Sequence, residues 1–211
     1  MTTWCLLAPG PSATAESAER VRAEGLPLGA ITSAFQLAPW ADFIAATDSA
    51  WWRRHPEALK LPGSKYTMHN VRHVERVKVP GYVAVNSGVL GLECAKRNGA
   101  TRVMLLGFDM HGTHYFGPYR NGLTNTSEAK RRMHLTQYAR WRRANPGIEV
   151  INCTPGSALT CFPKASLNDA IGSLLALGGR GTGVPAGACE RAGADGEATP
   201  AASASVHLRH G

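Results

Sequence analysis

The sequence predicts an α/β domain in which a mostly parallel sheet is covered by helices on both faces. Three observations predict it. Short apolar runs alternate with helix-length segments along most of the chain. Small, polar or acidic residues follow nearly every strand-like run, the position where such sheets bind ligands. The length, 211 residues, suits one domain of this kind and is too short for two with good cores.

The first strand is the apolar run at 3–8 (TWCLLA), ended by Pro9-Gly10-Pro11-Ser12. A helix over 13–24 follows and closes at Gly25. Runs at 28–33 (LGAITS) and 43–47 (FIAAT) read as strands, the latter ending at Asp48. Trp51-Trp52-Arg53-Arg54-His55 forms a short helix broken before Pro56, with the paired tryptophans read as core and lid. Further strands are expected at 64–68 (SKYTM) and 81–85 (GYVAV). Asn86-Ser87-Gly88 then opens an apolar helix over 88–97, stopped by the NGA at 98–100. The most strand-like segment is 101–106 (TRVMLL), and a long irregular stretch rich in Gly, His, Tyr and Asn runs from Gly107 to Thr126. Ser127 caps a helix that lasts to Asn145, 148–153 (IEVINC) is the last strand, and 166–177 is a closing helix with one apolar face.

Composition bounds the function. Hydrophobic residues make up 44% and charged residues 18%, which excludes collagen, coiled-coil and wholly disordered classes. No apolar run approaches the roughly 20 residues of a membrane helix, so no membrane partner is expected. The N-terminus has no basic lead-in and only a short apolar stretch before Pro9, so a cytoplasmic location is expected. Five scattered cysteines without a CxxC pair read as reduced thiols, with no metal site among them. The net charge of +8 suits an anionic ligand such as a nucleotide, or nucleic acid. Residues 178–211 hold three arginines and three acids, so all of that excess belongs to 1–177. The same 34 residues contain eight glycines and eight alanines and few large apolar side chains, which predicts a disordered tail behind a working domain of 1–177.

Gly10-Pro11-Ser12 lies where a strand meets a helix, and the helix dipole with its unpaired amides favours a phosphate there. Taken alone it reads first as a plain turn with a helix cap. Asn86-Ser87-Gly88 repeats the arrangement before a helix that is apolar all round, which aims a buried N-terminus at phosphate or ordered water. Thr32 and Asp48 end two further strands. Asp109, His111, His114 and Tyr115 follow the strongest strand in GFDMHGTHYFGPY. A carboxylate there commonly holds a ribose or base group, and the histidines or the tyrosine could move a proton. A loop of this length is usually functional or mobile, although two solvated histidines on a surface loop fit as well. The spacing of Asp109, His111 and His114 permits a metal only as a minor reading. The basic residues of 127–145, interleaved with Tyr138 and Trp141, read first as a solvated face with the aromatics turned inward. Nucleic acid is the lesser alternative for that helix.

The order of these junctions resembles a known group. A GPS after the first strand, an SG opening a buried helix, and the segment from Gly99 to Met110 together look like the MptE-like proteins, archaeal pterin diphosphokinases and their relatives. They are equally similar to bacterial sialyltransferases that use CMP-sialic acid. Small phage and prophage proteins are closer still in pattern and resemble the chain in APWAD…D…WW, GFDM…THYFG…NGL and NCTPGSAL…FP. The resemblance covers about residues 3–175 and implies a Rossmann-like fold. It implies that Gly10, Pro11, Ser12, Ser87 and Gly88 contact nucleotide phosphate or ribose, and that Asp109 contacts base or sugar. The chain departs from the sialyltransferase pattern at Pro9, where an asparagine is usual, and at His111, where a tyrosine is usual. It also has no histidine in 121–126, the region of their general base, so His111 or His114 is expected to stand in.

The expectation is a transferase that binds a nucleotide or nucleotide-sugar and moves a glycosyl group to an acceptor the sequence does not name. Its expected ligand contacts are Gly10, Pro11, Ser12, Thr32, Asp48, Asn86, Ser87, Gly88 and Asp109, with His111, His114 and Tyr115 for chemistry. Diphosphoryl transfer is the alternative, with magnesium on Asp48 or Asp109. A non-catalytic nucleotide-binding accessory protein is a further reading.

Overall fold

The computed structural model describes residues 2–120 and 122–176. The expected tail at 178–211 lies outside the described residues. Seven strands are paired in parallel throughout, in the order β5-β4-β3-β2-β1-β6-β7. They are β1 (Thr3–Leu7), β2 (Leu28–Ile31), β3 (Phe43–Ala45), β4 (Ser64–Thr67), β5 (Glu75–Arg76), β6 (Arg102–Leu106) and β7 (Glu149–Asn152). The helices are α1 (Ala15–Ala23), α2 (Ser49–Arg54), α3 (Ser87–Arg97), α4 (Glu128–Ala144) and α5 (Leu167–Ala176). The doubly covered parallel sheet is therefore present, and its central strands are buried along their whole length. No helix among the described residues is long and apolar enough to cross a membrane.

The chain steps outward from β1 to β5, then returns to lay β6 against the other side of β1. Parallel crossovers are right-handed, so helices before and after such a reversal must cover opposite faces of the sheet. The cores obey this. Ala18 and Val21 of α1, Trp51 and Trp52 of α2, and Ala170 and Ile171 of α5 pack with Cys5, Leu7 and Met104. Val89 and Leu92 of α3 with Tyr138 and Trp141 of α4 pack with Trp4, Leu6, Val103 and Leu105. Alternate residues of β1 and β6 thus point into two separate cores, as the pleat requires. The two tryptophans of α2 are buried, as the sequence suggests.

Two readings change. Residues 81–85 do not form a strand: the chain turns at Tyr82, whose amide donates to the Val79 carbonyl, and Val83 is fully exposed. The sheet edge beside β4 is taken instead by Glu75–Arg76, two charged, exposed residues without an apolar pattern. The run at 28–33 ends as a strand at Ile31, after which Thr32–Gln36 form a 3-10 turn. Thr32 enters that turn at φ +46°, left-handed geometry that a β-branched residue rarely adopts. The thiols of Cys5, Cys94 and Cys153 are unpaired and buried, and burial pushes Cys153 up to about 12.

Candidate functional site

The reversal between β1 and β6 creates the crevice where open α/β sheets bind ligands. A cavity of about 640 Å³ opens there, within the range of small-molecule sites. Its floor is the carboxyl ends of four strands: Ala8–Gly10 after β1, Thr32 after β2, Thr47 and Asp48 after β3, and Gly107–Asp109 after β6.

Close backbone approach builds the floor. The Gly10 amide donates to the Gly107 carbonyl at 3.0 Å, and a side chain at Gly10 would meet that oxygen at 2.3 Å and Asp109 Oδ2 at 2.1 Å. Asp109 is 3% exposed, and its Oδ2 accepts from the Ser12 hydroxyl at 2.9 Å and the Ser12 amide at 3.3 Å. Ser12 therefore serves the floor from below. Pro11 and Ser12 do not line the cavity, whereas Gly10 and Asp109 do.

The N-terminus of α3 forms one side. Asn86 caps it, accepting from the Val89 amide at 3.0 Å, and is itself held by Gln137, whose Oε1 accepts from the Asn86 amide and Nδ2 at 2.9 Å each. The Ser87 hydroxyl ties the helix to the end of β3 through the Thr47 amide and hydroxyl, both at 3.1 Å. The amides of Ser87 and Gly88 meet no acceptor among the described residues, and Asn86, Ser87 and Gly88 all line the cavity. Gly88 is needed because a Cβ there would lie 2.0 Å from the Tyr138 hydroxyl and 2.9 Å from the Phe108 ring.

The loop after β6 forms the roof. His111 is exposed at the rim, and Met110 beside it sits at φ +60°. His114 lies flat on Phe116, with ring centroids 4.9 Å apart and planes 2° apart, and its buried Nδ1 has no hydrogen-bond partner among the described residues. Burial lowers its pKa below the ordinary histidine value. Tyr115 turns away from the cavity: its hydroxyl donates to Gln36 Oε1 at 2.9 Å and to the Ser33 carbonyl at 3.3 Å. The loop is anchored again by Tyr119, whose hydroxyl lies 3.0 Å from Ser33 Oγ. Asp48 lines the cavity while its Oδ1 caps α2 through the Ala50 amide at 2.7 Å. Among the described residues no three His, Cys, Asp or Glu side chains gather as a metal set.

The remaining wall is one face of α4, and here the sequence reading falls short. Lys130, Arg131, His134, Gln137 and Tyr138 line the cavity, at positions that recur every three to four residues along the helix from Lys130 and Arg131 through His134 to Gln137 and Tyr138. The tertiary packing of Tyr138 and Trp141 selects this face, and interleaved basic and aromatic residues alone do not disclose it. Arg131 also clasps the neck of the roof loop, donating from Nη1 to the carbonyls of Gly112 at 3.0 Å and Thr126 at 3.1 Å. The ring of His134 makes no hydrogen bond to the described residues, and burial together with the Lys130 charge lowers its pKa. A histidine kept neutral beside cations can accept a proton.

Nine of the twelve expected site residues thus come together around one cavity; Pro11, Ser12 and Tyr115 support it from outside. Comparison of the chain with family models, with curated proteins and with solved structures finds no match.

Proposed function

We propose that the chain is a transferase that binds a nucleotide or nucleotide-sugar in the switch-point cavity and moves a glycosyl group from it. The observation that carries this reading is the meeting, in one cavity, of the two unpartnered amides of α3 with the cations of Lys130 and Arg131. Helix N-termini and basic side chains are the standard protein ligands of phosphate. In this reading the acceptor hydroxyl attacks the anomeric carbon of the donor, the bond from that carbon to the phosphate oxygen breaks, and the departing nucleotide keeps the electron pair. The Ser87 and Gly88 amides with Lys130 stabilise the charge that develops on the phosphate. His134 takes the proton from the acceptor hydroxyl. His111 is too exposed, and His114 too firmly stacked in its own turn, to serve as well.

Nucleic acid receives less support. On α4, Arg132 pairs with Glu128, Arg140 and Arg142 bind carbonyls of Gly81 and Cys161, and Lys130 and Arg131 face the cavity.

A thermal-shift series with CMP, CDP, UDP-glucose, ATP, GTP and a short DNA duplex tests the proposal. At about 100 times its dissociation constant a bound nucleotide stabilises by roughly 2.7 kcal/mol, a rise of several degrees. Lys130→Glu is expected to weaken that nucleotide about tenfold, about 1.4 kcal/mol. A stabilisation by duplex alone that fades steeply with salt, or no response to any nucleotide, contradicts it.

A further inference from the structure

We infer that a second site beside the nucleotide cavity holds an oxyanion of the acceptor, bound by Arg140 and Arg143; the inference rests on the transferase reading. A cavity of about 410 Å³ lies between the turn at 81–84 and the C-terminal half of α4, and Tyr82, Val83, Thr136, Arg140 and Arg143 line it. It shares Ala84 and Gln137 with the first cavity, so the two adjoin at these two residues.

Most polar groups of the second cavity are already engaged. The Tyr82 hydroxyl donates to the Gln137 carbonyl at 2.9 Å, Thr136 Oγ1 donates to the Met133 carbonyl at 2.7 Å, and Gln137 Nε2 donates to the Ala84 carbonyl at 3.3 Å. Two guanidinium groups remain. Arg140 spends one donor on the Gly81 carbonyl at 2.7 Å and lies 4.6 Å over the Tyr82 ring, which fixes its plane; its other donors meet no acceptor among the described residues. Arg143 donates to no acceptor among the described residues. No acidic side chain lines this cavity. A pair of guanidinium groups with unused donors calls for a carboxylate, phosphate or sulfate. Val83, fully exposed at the rim, offers apolar contact to the body that carries the anion.

The placement suits an acceptor. From Lys130 to Arg143 the helix advances about 20 Å, and cationic side chains mark both ends of that track. A donor anchored at the Lys130 end leaves the Arg143 end for the acidic group of the second substrate, with His134 and Gln137 between them.

The test uses titration calorimetry on the full chain with trigalacturonate, neutral maltotriose, glucose 6-phosphate and CDP. Trigalacturonate or glucose 6-phosphate is expected to bind while maltotriose does not; whichever binds tells carboxylate from phosphate. Arg143→Glu, an exposed change that breaks no hydrogen bond or ion pair among the described residues, is expected to weaken that binding by about tenfold or more and to leave CDP affinity unchanged. Arg140→Ala is expected to weaken it as well. Equal binding of maltotriose, no binding of either anion, or indifference to Arg143→Glu overturns the site. Binding of a single-stranded oligonucleotide that both Arg143→Glu and Lys130→Glu weaken overturns it too, making the whole face a nucleic-acid track. If an anion binds through Arg143 while CDP does not bind at all, the oxyanion site stands and the nucleotide reading falls.

Discussion

Single residues at this site carry two duties each, and the second is what the sequence leaves unsaid. Asp109 is conspicuous in the sequence as an acid after the strongest strand, yet its Oδ2 is already committed to Ser12. Thr32 is conspicuous only by position; its left-handed backbone arises from how β2 feeds the turn that follows. His134 gave no signal, because one histidine in a basic helix is ordinary until packing fixes which way it faces. His114 and His134 have depressed pKa values in the folded protein, chiefly through burial. In the unfolded chain each binds its proton at about pH 6.5, so protons favour unfolding below that value. The stability each contributes is complete above about pH 6.5 and is lost as pH falls through the lower folded value. The melting temperature of the wild type is therefore expected to drop between about pH 7 and 5.5, and His134→Gln with His114→Gln to flatten part of that drop. An unchanged slope in the double variant contradicts the burial of these rings.

Elements were legible where their own residues decide them. The buried runs of β1 and β6, and the caps Asn86 and Ser127, sit where apolar pattern and capping chemistry place them. The run at 81–85 has strand composition and no strand: the chain turns at Tyr82 and leaves Val83 exposed, while Glu75–Arg76 take the place beside β4. The contact between α3 and α4 was not legible either. It joins Trp141 Nε1 to Glu93 Oε2 at 3.0 Å and sets Tyr138 on Gly88. Gly88→Ala is expected to destabilise by about 1–3 kcal/mol, since the new methyl overlaps a rigid buried ring. Tyr138→Phe in the same chain should recover part of the loss, leaving the contact with Phe108; chemical denaturation of the two variants reads this. A neutral Gly88→Ala would mean that Tyr138 of α4 does not rest on Gly88.

For the whole molecule, the strand order does what no single motif could. Alternating strands and helices foretold the parallel sheet, but the sequence contains no mark of which strand neighbours which. Only the placement of β6 beside β1 brings Gly10 and Asp109 into contact and opens the cavity above them. The same reversal puts α3 and α4 on one face, which brings two amides without an acceptor among the described residues into one cavity with Lys130 and Arg131. Of the lysines and arginines among the described residues only Lys130 and Arg131 line that cavity, together with the carboxylates of Asp48 and Asp109. The central claim is that this arrangement holds the phosphate of a nucleotide. A nitrogen-15 NMR titration of the full chain with CDP and UDP tests it most directly. Saturable shifts are expected at the Ser87 and Gly88 amides, and Lys130→Glu is expected to displace them to higher ligand concentration. Shifts confined to residues outside the cavity, or none at saturating nucleotide, would contradict it.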